Sequence, residues 1–281
     1  MKKKIYILTI TIIILAASAC EKIDKPYLEP VGSQPTPTPG EKVKKALLEE
    51  YTGHKCPNCP DAIEEAKTLK SIYGEQLILL TIHAGPLAEP DQTGPYTADF
   101  TTETGNTLFS VYNPGFVPSG TVNRSTPKAE FVGNWEGAII DILAQPQEAD
   151  INLETTFDQA DSTLEITVDV EFLVDMTDTL ASYNLCFYIN QSGIVAPQLN
   201  QDGEIPDYEH EHMLRDSYGG AWGQQIAGGS ISAGEIFTKE FQINIGSNLL
   251  DTANTSVSVI AFLTDANDRR ILQAEEKHII E

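Results

Sequence analysis

The chain has 281 residues, with 41 acidic against 18 basic side chains and a formal charge of −23, a balance that argues against nucleic acid or an anionic lipid face as partner. Such acidity is mostly a feature of solvated surface, and it deepens if Lys2, Lys3 and Lys4 are removed with a leader. The length leaves room for two domains of ordinary size.

After the three lysines comes an apolar run over residues 5–15, then Ala16, Ala17, Ser18 and Ala19, then Cys20. This order predicts a cleavable signal peptide over residues 1–19. The run is shorter than the roughly 20 apolar residues a membrane span wants. A cysteine directly after small residues is the lipobox arrangement, in which the thiol is alkylated by a diacylglycerol before cleavage. An ordinary secretory signal followed by a chance cysteine is the alternative. Two or more acyl chains hold a protein stably on a bilayer, so the lipid on Cys20 is the expected link to a membrane. Residues 20–40 carry Pro26, Pro30, Pro35, Pro37 and Pro39 without a hydrophobic period and predict an extended tether.

Residues 41–148 alternate between strand-like and helical runs. A strand is expected over 43–51 and a helix over 61–73, with Ile63, Ala66, Leu69, Ile72 and Tyr73 on one face; a buried strand follows over 76–83. That order predicts a parallel pair with a crossover helix. Residues 84–116, rich in Gly, Pro and Thr, read as an insertion with a helix near 104–111. A short strand over 117–123 contains Pro118, and a helix over 130–143 carries Phe131, Trp135, Ile139, Ile142 and Leu143 in its apolar stripe. From residue 149 to 281 the pattern becomes alternation, with strands expected over 151–154, 164–172, 183–189, 237–245 and 256–263, which predicts an antiparallel sandwich. The expected fold class is thus an α/β domain followed by an all-β sandwich.

Cys56 and Cys59 stand in Gly53-His54-Lys55-Cys56-Pro57-Asn58-Cys59-Pro60, between a strand and an amphipathic helix. A Cys-x-x-Cys in that place is a thioredoxin-like redox motif. Unpaired N–H groups and the helix dipole stabilise a thiolate there, and the second sulfur is near enough to resolve a mixed disulfide. Lys55 and a protonated His54 would add positive charge; a plain solvent-exposed histidine is the other reading of His54. Pro118 is the candidate for the cis-proline that such folds set opposite the cysteines, against an ordinary trans bond. Zinc would need two further ligands that the first region does not offer, and haem attachment wants a histidine where Pro60 stands, so no cofactor is expected. A purely structural disulfide is the competing reading, supported by the missing aromatic residue before Cys56 and by no obvious buried acid to move protons.

Cys186 lies in an apolar strand and is expected to be a buried free thiol. His210 and His212, if on one strand, share a face and would be a metal pair, against a reading as hydrogen-bonded loop histidines. Trp222, in a Gly-rich loop, is a core plug or a partner contact.

Glu50-Tyr51-Thr52-Gly53 with Cys56 to Pro60, Pro118 with Val122-Asn123-Arg124, and His210, His212, Leu214, Arg215 and Trp222-Gly223 together resemble the 28-kilodalton outer-membrane-protein family of lipoproteins. The resemblance implies a thioredoxin-like domain followed by a β-sandwich, lipid-attached to the outer membrane, with adhesion or surface-antigen roles suggested for members. By the thioredoxin-like likeness, Cys56 is the attacking thiol, Cys59 the resolving thiol and Pro118 the substrate-loop residue. The expected partner is an extracytoplasmic protein. Elemental analysis of the purified protein tests the histidine pair: without stoichiometric zinc or copper it is not a metal site.

Overall fold

The computed structural model describes residues 42–246 and 255–280, so Cys20, the leader and the tether lie outside the described residues. Strand β1 (Ala46–Thr52) is followed by helix α1 (Cys59–Tyr73) and strand β2 (Leu77–His83), and the two strands run parallel in register from Ala46 opposite Leu77 to Thr52 opposite His83. This is the expected crossover. Both strands are buried along their whole length, which is why they read as near-continuous apolar runs. Helix α1 has Pro60 and Asp61 in its first turn, where a missing N–H costs little and a negative charge meets the dipole, and it ends at Gly74 with φ 53°. Ala62, Ile63, Ala66, Leu69 and Tyr73 are buried. Ile72 is not: it lies one position off that row and is 49% exposed.

Helix α2 (Glu103–Tyr112) is capped by the Thr102 hydroxyl, which accepts from the Gly105 N–H at 2.9 Å. A cis bond joins Val117 to Pro118, and β3 (Ser119–Val122) then pairs antiparallel with β1. Helix α3 (Trp135–Leu143) is shorter than the periodicity predicts. Glu130 exchanges both backbone hydrogen bonds with Gly120, at 2.9 and 2.7 Å, and a 3-10 turn (Val132–Asn134) follows. That pairing keeps Phe131 out of the helix, 63% exposed instead of in the stripe.

The alternating region forms β4 (Ala149–Asp158), β5 (Thr163–Phe172), β6 (Ser182–Ser192), β7 (Ile194–Asn200), β8 (Gly203–His210), β9 (Met213–Tyr218), β10 (Gln224–Gly228), β11 (Ile236–Asn244), β12 (Ser256–Asp265) and β13 (Ile271–Ile280). These do not close on themselves. One sheet runs β13-β12-β6-β9-β2-β1-β3, with β10 also on β6, so strands from both sides of residue 148 share it. The join is between β9 and β2, where the Thr81 N–H donates to the His212 carbonyl at 2.6 Å. A second sheet, β11-β5-β4, packs on β6 and β12 through Val168, Val170, Phe172, Phe187, Val259 and Ala261, giving the sandwich layer. Strands β7 and β8 form a separate two-stranded hairpin.

The other face of the long sheet is continuous across the join. Leu47, Tyr51, Leu80 and Ile82 share one core with Leu108 of α2 and with Cys186, Tyr188, Ile260 and Phe262. Cys186 is a buried free thiol, as expected, and burial pushes its pKa up to about 12. Helices α1 and α3 cover the opposite face of β1 and β2 through Ala66, Leu69, Trp135 and Ile139.

Inside the shared core lies an ion pair. Arg124, at φ 52° just after β3, donates from Nη2 to Glu49 Oε1 at 2.6 Å and from Nε to Oε2 at 2.8 Å, with both side chains fully buried. Nη2 also reaches the Tyr188 hydroxyl at 3.2 Å, which in turn donates to the Ala221 carbonyl at 2.8 Å. Phe262, Trp222 and Tyr112 present ring faces to the guanidinium at 5.1 to 5.9 Å. Burial alone would lower the Arg124 pKa, but the charge and hydrogen bonds of Glu49, together with Tyr188 and Cys186, outweigh it and hold the group above its usual value. Trp222 is thus a packed residue of the core rim, and Arg269 lies over its ring at 4.0 Å. Beside the pair, the Asn123 side chain accepts from the Leu47 N–H at 2.6 Å and donates to the Ile271 carbonyl at 3.0 Å, tying β1 to the start of β13.

Removing one partner of a buried ion pair leaves an uncompensated charge, whereas replacing both by apolar groups does not. Arg124→Met should therefore lower unfolding free energy by about 3–5 kcal/mol, and Glu49→Leu/Arg124→Met should recover a large part of that loss. Urea denaturation of the single and double variants checks this.

Candidate functional site

The turn after β1 presents the cysteines. The Cys56 N–H donates to the Gly53 carbonyl at 3.0 Å, and the Lys55 N–H to Leu87 at 3.0 Å. Leu87 passes so close to Gly53 that a Cβ there would lie 2.5 Å from the Leu87 backbone, so only glycine fits. Cys59 opens α1, and it is joined to Cys56 by a disulfide with the Cα atoms 5.5 Å apart. Pro118, Val117 and Phe116 line one cleft with Asn58, Asp61, Glu65 and Phe131, of about 760 Å³. The cysteine turn and the cis-proline loop, remote in sequence, thus face a common cleft. Lys55 is ion-paired with Asp91 at 2.8 Å, so its charge is not free to act on the sulfurs.

Both cysteines are buried, at 1% and 0% exposure. The β7–β8 hairpin is bonded to the same turn. Gln198, buried on β7, donates from Nε2 to the Cys56 carbonyl at 3.1 Å and the Gly53 carbonyl at 3.4 Å. The Leu199 N–H donates to the His54 carbonyl at 2.8 Å, and Gln201 donates to Asp61 Oδ2 at 3.0 Å.

A buried acid is present after all. Glu50, on β1 ahead of the cysteine turn, is 3% exposed, its Oε1 has no hydrogen-bond partner, and burial raises its pKa to about 8. It lines a cavity of about 10 Å³ with Leu48, Ile63, Ala66 and His212, at the lower limit for holding one water. Successive side chains of a strand alternate in face, so Glu49 meets Arg124 while Glu50 turns toward α1. The signal available in the sequence was a pair of adjacent glutamates inside an otherwise apolar strand, of which at least one had to be buried.

His54 is buried, not solvent-exposed, and burial lowers its pKa, so it supplies no positive charge. It stacks on Tyr96 at 5.4 Å and packs against Phe100 and His83. His83 and His210 lie 5.4 Å apart and both pack on Phe100. Burial lowers His83 well below the usual imidazole value and His210 to about 4. His210 and His212 do not share a strand face: His210 ends β8, and His212 stands outside any strand at φ 54°, with its backbone N–H bonded to Ser192 at 2.8 Å. The chain turns between them, so His210 enters the aromatic cluster and His212 the Glu50 cavity. Among the described residues no three His, Cys, Asp or Glu side chains are grouped to hold a metal ion.

These shifts set opposite pH windows. His210 is neutral in the fold down to about pH 4 but charges near 6.5 when unfolded, so its contribution is complete above about 6.5 and is lost as pH falls toward 4. Glu50 stays protonated in the fold up to about 8 but ionises near 4.5 when unfolded, so its contribution is complete below 4.5 and is lost as pH rises toward 8. Glu50→Gln should therefore gain stability over the native chain above about pH 5, the gap widening by up to about 1.4 kcal/mol per pH unit until pH 8. Urea denaturation at pH 5, 6, 7 and 8 reads this; a gap that does not change with pH removes Glu50 as the cause.

Against solved structures, the chain is similar to HBP35 of Porphyromonas gingivalis, with TM-score 0.61 and 16% identity over 85% of this chain and 76% of that one. It is also similar to a protein from Agrobacterium tumefaciens, with TM-score 0.50 and 12% identity over 84% and 95% of the two chains. At such identities the likeness concerns the fold alone. A domain of the outer membrane lipoprotein Omp28 from Porphyromonas gingivalis aligns over 48% of this chain and 91% of its own, with 15% identity and TM-score 0.28. No curated protein matches. The family model described as outer membrane protein Omp28 matches residues 105–281, from α2 to the end of the chain, leaving the disulfide outside the matched stretch. Among the described residues no helix is long and apolar enough to cross a membrane. With more than half of its length matched by that model, the chain belongs to the Omp28 family of outer membrane proteins.

Proposed function

We propose that the chain is held at the outer membrane by lipid on Cys20, and that its first region, residues 41–148, is a thioredoxin-like unit exchanging thiols and disulfides with extracytoplasmic proteins. Residues 149–281 present that unit or bind a partner. The observation that carries this is the position of the Cys56–Cys59 disulfide, at the amino end of α1 and beside the cleft lined by cis-Pro118. The parallel β1-α1-β2 unit with antiparallel β3 and covering α3 supports it further.

The chemistry is an exchange of bonds between sulfurs. A thiolate of the substrate attacks Cys56 Sγ, the Cys56–Cys59 bond breaks, and Cys59 leaves as a thiolate that takes up a proton. A second substrate thiolate then attacks the substrate sulfur of the mixed disulfide, releasing Cys56 as a thiolate stabilised by the helix terminus. Two electrons pass from the substrate dithiol to the cysteine pair; in the reverse direction, from the reduced pair, the Cys56 thiolate attacks a substrate disulfide, Cys59 resolves the mixed disulfide, and two electrons pass from the pair to the substrate.

A second reading is a surface binding or adhesion lipoprotein in which the disulfide is a staple. The burial of both sulfurs favours it. Against it, a loop closed over two intervening residues constrains the unfolded chain little.

The reduction potential of the pair, measured with turnover on a disulfide substrate, separates the two. Exchange predicts a potential above about −300 mV, the upper bound for inert structural bridges, loss of turnover in Cys56→Ser, and mixed disulfides trapped by Cys59→Ser. A lower potential with turnover unaffected by Cys56→Ser decides for the staple.

A further inference from the structure

We propose that the β7–β8 hairpin is a latch over the disulfide, and that Gln198 and Gln201 are the side chains that hold it shut. The inference rests on the exchange reading for its purpose, because a buried sulfur is attacked only after its cover moves, but the latch itself is a statement about access.

Three observations carry it. First, the hairpin belongs to neither large sheet: β7 and β8 pair only with each other, and a two-stranded ribbon of that kind is marginal by itself. Its closed position therefore depends on what it touches. Second, its polar ties converge on the cysteine turn. Gln198 and the Leu199 N–H bond the carbonyls of Gly53, His54 and Cys56, and Gln201, just beyond the end of β7, bonds Asp61 in the first turn of α1. A register shift between Ala196 and Gln198 interrupts the pairing, and Gln198 is the one fully buried residue of β7, at 1% exposure. Third, the closed state is imperfectly satisfied. The buried Gln198 Oε1 has no hydrogen-bond partner, an unfavourable feature that lifting the hairpin into water relieves.

The two ends of the hairpin are held differently. At the base, where Ile194 opposes His210, the His210 ring is packed between His83 and Phe100. At the tip the Gln201–Asp61 bond lies on the surface, and Gln201 lines the same cleft as Pro118 and Phe131. The tip is the part that can swing, with the base as its hinge. A polypeptide segment seated in that cleft meets Gln201 and Asp61 directly, so occupancy of the cleft and release of the latch are coupled.

The test is the rate at which a small phosphine reduces Cys56–Cys59 in the folded, full mature chain in detergent, read by alkylation of the new thiols. Gln198→Ala/Gln201→Ala should be reduced at least ten-fold faster than the native chain, and Val195→Ala, on the outer side of β7, should be unchanged. Hydrogen exchange is followed in parallel: the hairpin amides should exchange faster in the double variant while those of β1 do not. Equal reduction rates in the native chain and the double variant overturn the latch. So does a rate increase accompanied by equally faster exchange of β1, since the sulfurs are then reached by general unfolding. The exchange reading fails separately: a potential in the inert structural range, with faster reduction in the double variant, rejects exchange and leaves the latch standing.

Discussion

The buried Glu49–Arg124 pair is the constraint around which the two regions of this chain are organised. A guanidinium buried in an apolar core is costly unless its charge is met by a carboxylate. The partners of Arg124, which stands just beyond β3, come from far apart: Glu49 on β1 meets its charge through Nε and Nη2, and the Tyr188 hydroxyl on β6 accepts from Nη2, while Nη1 has no hydrogen-bond partner. Pairing Arg124 in this way requires β1, β3 and β6 to be in place at once. That requirement accounts for a sheet shared by elements that, by sequence pattern, belong to two separate regions, with one apolar core running along its face.

The neighbouring residue shows the opposite solution. Glu50 is as deeply placed as Glu49 but has no cation, so it keeps its proton instead of its charge. Two adjacent glutamates thereby acquire different roles through nothing more than strand alternation. Glu49 is paired with Arg124 and serves the fold. Burial raises the Glu50 pKa to about 8.

Local elements were legible in the sequence because each answers to its own periodicity. The apolar runs of β1, β2, β6 and β12, the stripe of α1 and the alternation of β4 and β5 all follow from spacing, and the cysteine turn falls at the start of α1 as the motif requires. What was not legible depends on partners distant along the chain. The start of α3 is set by Gly120 pairing with Glu130, which no helical period reveals. Strand β8 alternates but contains Gly203 and Pro206, and the reversal after it, at His212, separates two histidines that a straight strand would have placed together. The join of β9 to β2 rests on one bridge and has no composition of its own.

The sulfurs combine a helix amino terminus with full burial, and under the proposed exchange the two are compatible only if something moves. A helix amino terminus favours a thiolate, which is of use only to a sulfur that another molecule reaches. Full burial removes that reach. Gln198 is bonded across the turn that carries the sulfurs. Of the surrounding elements, the large sheet, α1 and α3 are locked in apolar cores, while the hairpin is held to the cysteine turn and α1 by a few polar contacts. Under that proposal motion falls to the hairpin, which contributes no residue to the three apolar cores, because local opening concentrates where buried apolar contacts are few.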